Sequence, residues 1–211
     1  MRIAGVDYGM GNLHSVSKAV EHVGTHVRVE VTSDPARVAN ADRVVFPGQG
    51  AMPDCMREMD ARGLRPAVVE ASRQRPFLGI CIGLQMLFER SEEGGVAGLG
   101  LLAGTVRRFP ESAMVDRQGW KLKVPHMGWN RVKQVRRHPM WSGLQDGSHF
   151  YFVHSYFPHA AEEDIVQGTT EYGVPFTCAV ARDNIFAVQF HPEKSAAAGL
   201  RLLTNFLNWN P

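Results

Sequence analysis

The stretch Phe77-Leu78-Gly79-Ile80-Cys81-Ile82-Gly83-Leu84-Gln85 decides how the rest of the chain is read. An apolar run ends on a cysteine held between two glycines at one-residue spacing. This is the nucleophile-elbow pattern, with sulfur in place of oxygen, and it belongs where a strand turns sharply into a helix. Small flanking residues are needed because the nucleophile sits in a strained backbone conformation. The first N–H groups and positive dipole end of the following helix then favour the thiolate. The Ile82 N–H becomes a candidate donor to a developing oxyanion. The stretch therefore predicts a strand over 76–80, a reactive Cys81, and a helix over about 83–89.

Working outward, the first half alternates strand and helix. Arg2 to Asp7 reads as a strand ended by the Gly-rich turn Tyr8-Gly9-Met10-Gly11. Asn12 suits the N-cap of a helix whose apolar residues include Leu13, Val16, Ala19, Val20 and Val23, with Gly24 as its stop. Val27 to Val31 and Asp42 to Phe46 read as further strands. Pro53 fits the start of the next helix, and another helix runs from about Leu64 to Arg73. This β-α order predicts an α/β fold of three layers, a mostly parallel sheet covered by helices. In the second half the runs 106–109, 131–135, 150–156, 166–172, 177–181 and 185–189 read as short strands with few helices between them. They are expected to add to the sheet in antiparallel fashion. A closing helix spans about 196–209, with Leu200, Leu203, Phe206 and Leu207 at helical spacing.

Composition narrows the function classes. The chain has 211 residues, enough for one domain spanning 1–211 without disulfide or metal support. Its formal net charge of +2 gives no reason to expect a nucleic-acid or membrane partner. No segment reaches the ~18 apolar residues of a membrane helix, and the N-terminus reads as a strand rather than a signal peptide. Three separated cysteines without a CxxC exclude a disulfide framework and simple zinc ribbons, which suits a reducing cytoplasm. Cys55 and Cys178 lack any elbow and read as small buried hydrophobes. No metal or cofactor is implied.

A catalytic cysteine needs a base, and the base needs an orienting group. Among nine histidines, His191 in Gln189-Phe190-His191-Pro192-Glu193-Lys194-Ser195 lies just past a strand end. Pro192 restricts the backbone of His191, and Glu193 is placed to accept from the imidazole. His22, His26, His138 and His159 read as solvent-facing, while His154 is a core or pocket candidate. A third element, Phe46-Pro47-Gly48-Gln49-Gly50, offers bare backbone N–H donors after a strand.

These motifs, in this order, resemble the class I (triad) glutamine amidotransferases, and the resemblance covers essentially the whole chain. It implies the flavodoxin-like fold of that class. It also implies that Cys81 attacks the carboxamide of glutamine, that His191 manages the protons and that Glu193 holds His191. Backbone groups near Gly48 and Ile82 would hold the oxyanion, and Gln85, Glu93, Ser155 and Tyr156 would bind the substrate's α-amino and α-carboxylate ends. Within the class, Asp7 to Leu13, Pro125-His126-Met127-Gly128-Trp129-Asn130, Tyr151 to Tyr156 and His191 to Ser195 are most similar to glutaminase subunits of histidine biosynthesis. Those subunits hand ammonia to a (β/α)8-barrel cyclase. On that resemblance, Asn12, Trp129 and Lys194 match interface positions. Gln49 departs from the small apolar residue that many relatives carry. Other readings stay open: a class I subunit serving pyridoxal phosphate, anthranilate or aminodeoxychorismate synthesis, a stand-alone γ-glutamyl hydrolase, or a regulatory module with a relic triad.

Overall fold

Strands that are apolar along nearly their whole length favour burial on both faces, and three of them build the centre of this molecule. The computed structural model describes residues 1–116 and 118–211. The first half runs β1 (Arg2–Val6), α1 (Leu13–Val23), β2 (Arg28–Thr32), α2 (Pro35–Ala39), β3 (Arg43–Gly48), α3 (Met52–Ala61), α4 (Arg65–Gln74) and β4 (Phe77–Cys81). All residues of β3 and β4, and all of β1 after Arg2, are buried. That is the signature of a parallel sheet covered on both sides. Each of the first helices starts as its sequence suggests: the Asn12 side chain accepts from Ser15 N at 3.3 Å, and α2 and α3 both carry proline in their first turn.

The second half comprises α5 (Ile82–Gln85), β5 (Phe88–Ser91), β6 (Leu102–Arg108), β7 (His126–Arg131), β8 (Lys133–Gln134), β9 (His149–His154), β10 (Tyr156–Ala160), β11 (Val166–Tyr172), β12 (Val174–Arg182), β13 (Ile185–Val188) and α6 (Ala196–Asn208). The main sheet has the order β2-β1-β3-β4-β13-β12-β11-β8. The pairs from β2 through β13 are parallel, and β12, β11 and β8 extend the sheet in antiparallel fashion. Helices α1 and α6 pack together and α2 packs with α4, completing the layers around the sheet.

The structure corrects four expectations. The helix after Cys81 stops at Gln85, and β5 follows. The carbonyls of Met86, Leu87 and Phe88 accept from the N–H groups of Leu99, Leu101 and Gly100, so a distant segment replaces the helical partners. The expected strand 150–156 is two strands broken at Ser155: β9 pairs with β7, while β10 pairs with β6. Hence β7–β9 and β10-β6-β5 form small sheets of their own, and of the late strands only β8, β11 and β12 are antiparallel additions. β13 is not an antiparallel addition to the parallel half. It lies mid-sheet, parallel to β4 and antiparallel to β12. Last, His138 is not solvent-facing; its ring packs against Phe186 and Trp209, and burial lowers its pKa to about 4.

Candidate active site

The elbow forms at the end of β4. Cys81 has φ +56° and ψ −113°, a left-handed backbone that side chains other than glycine rarely adopt. Its strain is held in place by packing on both sides. A Cβ on Gly83 would overlap the carbonyl oxygen of Phe46, so α5 lies hard against β3 only because that position is glycine. Across the sheet, Cys81 is the register partner of Gly48, where a Cβ would run into the Tyr8 hydroxyl. That hydroxyl donates to Pro47 O at 2.8 Å and fixes the end of β3 beside the cysteine.

β13 runs parallel to β4 in the adjacent position, so its end delivers His191 next to the elbow. His191 Nδ1 lies 2.8 Å from Glu193 Oε1, and both side chains are buried. Burial by itself would depress the imidazole pKa. The Cys81 thiol and the Glu193 carboxylate outweigh it and raise the pKa to about 10. Such an imidazole is protonated at neutral pH. His191 Nε2, the nitrogen that Glu193 does not use, is buried without a conventional hydrogen-bond partner, as is Glu193 Oε2. The imidazole is therefore held through one nitrogen, with the other uncommitted.

Cys81 and His191 open into a cavity of about 360 Å³, lined also by Gln49, Gly50, Ile82, Gln85, Glu93, Pro125, Val153, His154, Ser155 and Tyr156. Of the sequence-predicted substrate residues, all four are there. Gln85 Nε2 donates to Tyr156 O at 2.9 Å, which leaves Gln85 Oε1 buried and unpartnered. Glu93 Oε2 accepts from Met52 N at 2.8 Å, bracing the start of α3. Ser155 and Tyr156 stand at the break between β9 and β10, where the chain passes from one small sheet to the other. Ile82 lines the cavity. Gly48 does not; it sits behind the lining residues Gln49 and Gly50.

The three interface candidates lie outside the cavity. Trp129 on β7 is 53% exposed, and its ring meets Tyr151 edge-on at 6.1 Å. Lys194 Nζ lies 5.9 Å over the other side chain of that contact, the Tyr151 ring. Asn12 caps α1 in a turn whose Gly11 backs onto Gly48.

Three features escaped sequence reasoning. Gln189, fully buried, places Nε2 3.8 Å from Cys81 Sγ. His154 and His126 hydrogen-bond to each other inside an aromatic cluster. Cys55, read as a small buried hydrophobe and fully buried, also donates its S–H to Gln49 O at 3.4 Å and tethers the cavity loop, and burial holds its pKa up at about 11. Only Gln189 carried a signal, since it stands two residues before His191.

A strained cysteine facing a buried histidine–carboxylate pair at the tips of a parallel sheet defines a thiol acyl-transfer site. The model of the class-I glutamine amidotransferase family matches residues 4–209, and the chain belongs to that family. Within it, the chain is 66% identical over 209 residues to imidazole glycerol phosphate synthase subunit HisH of Dechloromonas aromatica (strain RCB), covering 99% of this chain and 97% of the relative. It is 65% identical to the protein of the same name from Thiobacillus denitrificans, over 99% of this chain and 92% of the relative. The Nitrosomonas europaea protein of that name is 60% identical, over 99% of each. Among solved structures, PurLQS from Thermotoga maritima superposes with a TM-score of 0.72 at 17% identity, covering 98% of this chain and 97% of that one. A glutamine amidotransferase from the same organism gives 0.61 at 15% identity, over 92% and 76%. These last two attest to the fold.

Proposed function

We propose that the chain is the glutaminase subunit of an imidazole glycerol phosphate synthase. Cys81 attacks the side-chain carboxamide of glutamine and forms a thioester. The N–H of Ile82 and backbone groups around Gly48 hold the oxyanion. The His191 imidazolium gives its proton to the departing ammonia, and the neutral imidazole then activates the water that releases glutamate. Glu193 keeps His191 in the required orientation. Gln85, Glu93, Ser155 and Tyr156 receive the amino-acid end of the substrate. The observation that carries this reading is the Cys81–His191–Glu193 arrangement, with Cys81 and His191 in the wall of a cavity of about 360 Å³.

Ammonia in water is mostly ammonium, a poor nucleophile, so the product is handed directly to a partner. We infer that this partner is a (β/α)8-barrel cyclase, docked where Asn12, Trp129 and Lys194 lie, which makes imidazole glycerol phosphate and aminoimidazole carboxamide ribotide. The names of the relatives and the exposed Trp129 support this; tryptophan is enriched in interface cores. The whole span 1–211 acts as one domain, and the enzyme works in the cytoplasm. Among the described residues no helix is long and apolar enough to cross a membrane.

The test is a Cys81→Ala variant assayed with the cyclase. Glutamine-dependent synthesis should vanish and ammonia-dependent synthesis should persist. Loss of both would sink the division of labour. In the same assay, wild-type glutamine hydrolysis should be low for the isolated chain and rise when cyclase and its nucleotide are added. High turnover without the partner points to a stand-alone hydrolase.

A further inference from the structure

Two runs of hydrogen bonds, one from β7 and one from the nucleophile, meet at the Tyr156 carbonyl, which accepts from both. At the β7 end, Asn130 Oδ1 accepts from Arg131 N at 2.8 Å and Asn130 Nδ2 donates to Glu171 O at 2.8 Å. The amide therefore has one possible orientation, with Nδ2 facing His126 Nε2 at 3.4 Å. His126 Nε2 is then the acceptor, and His126 Nδ1 carries the hydrogen. That Nδ1 lies 3.0 Å from His154 Nε2, so His154 Nε2 accepts and His154 Nδ1 carries the hydrogen. His154 Nδ1 does meet an acceptor, Tyr156 O, at 2.8 Å.

The same carbonyl receives Gln85 Nε2 at 2.9 Å with its second lone pair. Gln85 Nε2 also donates to Gln189 Oε1 at 3.1 Å. Gln189 is thereby obliged to turn its Nε2, and with it an N–H, toward Cys81 Sγ at 3.8 Å. A reversed amide would set two acceptors against each other at Gln85 or face the sulfur with an oxygen.

We propose that Gln189 holds the Cys81 thiolate through its amide N–H, that Gln85, oriented by the Tyr156 carbonyl, locks this amide in the donating orientation, and that His154, backed by His126 and Asn130, is a positioning residue that holds that carbonyl in place. The proposal rests on Cys81 being the nucleophile. Gln189 and the two rings are buried, so water does not compete for these bonds. The rings pack against Phe109, Phe152 and Tyr172, which excludes charge from them. Burial accordingly lowers the pKa of His126 to about 4 and that of His154 to about 3, and both stay neutral as the chain requires. The other titratable groups that face the sulfur are His191, Tyr8 and Cys55, and changing Gln189 leaves all three in place.

Two measurements test this. The first is the pH profile of Cys81 alkylation by iodoacetamide, read on its peptide by mass spectrometry, for wild type, Gln189→Leu and Gln189→Glu. Loss of the donor should raise the apparent pKa by about one unit and slow alkylation at pH 7 about ten-fold, more in the glutamate variant because of its charge. Unchanged profiles in both variants overturn the proposal. The second uses the unaltered chain, so it does not depend on a variant folding. Ring nitrogen shifts from ¹⁵N-labelled histidine should show His126 and His154 neutral and protonated on Nδ1 at pH 7. A hydrogen on Nε2 of either ring overturns it. Glutamine hydrolysis that survives Cys81→Ser would instead refute the nucleophile assignment. Hydrolysis lost in that variant, with unmoved Gln189 profiles, defeats this proposal alone.

Discussion

The end of β4 and the middle of β12 each present a free, buried cysteine, two strands apart in the same sheet. Cys178 lies inside β12, opposite a register shift in β11, its carbonyl accepting from Gln189 N at 2.8 Å, and burial pushes its thiol pKa far up. Cys81 lies where pairing ends, with a left-handed backbone, a helix start behind it and a protonated imidazole in front. Burial is common to both. What separates them is the backbone turn at Cys81 and what neighbouring strand ends deliver to it, the features on which thiol reactivity depends.

That contrast can be broken at several points. The largest effect is expected for Glu193→Gln, which keeps the shape but removes the charge that orients His191. Glutamine-dependent kcat should fall about 10²–10⁴-fold, as for an orienting carboxylate in related triads, and steady-state kinetics would show it. Near-normal turnover would mean that the strained cysteine needs no oriented base. Next is Gly83→Ala. Its Cβ would overlap the Phe46 carbonyl, so the elbow must shift or the chain loses about 3 kcal/mol of stability, measured by urea unfolding. The smallest effect is expected at the other cysteine. Cys178→Ala should cost about 1 kcal/mol through lost packing and leave glutamine turnover within about two-fold of wild type. A large kinetic loss there would show that β12 shapes the site more than its geometry suggests.

The parts of the molecule that the sequence displayed were those with local causes. The elbow needs only Gly79, Cys81 and Gly83 in a row, and the first four strands with α1, α3 and α4 follow from apolar runs, caps and prolines, whereas the five-residue α2 was too short to show a periodicity. The His191–Glu193 pair is two residues apart, so its hydrogen bond is nearly written in the chain. What stayed hidden is non-local. No periodicity near Leu87 reveals that Leu101 will claim its carbonyl and end α5 early. Nothing in the run 150–156 says that its halves will pair with β7 and β6. The link from Gln85 to Gln189 spans 104 residues, and that from His126 to His154 joins register partners on two strands. Such contacts become visible only when the sheets exist.

The position of β13 has a consequence for how the protein is made. The strand that leads to His191 is inserted mid-sheet between β4 and β12, yet among the described residues it is the last strand to be synthesised. A growing chain on the ribosome thus carries Cys81 for more than 100 residues of translation before His191 exists to face it. The final strand is both the keystone of the sheet and the element that sets His191 beside the elbow, so on the proposed mechanism an incomplete chain is a silent one.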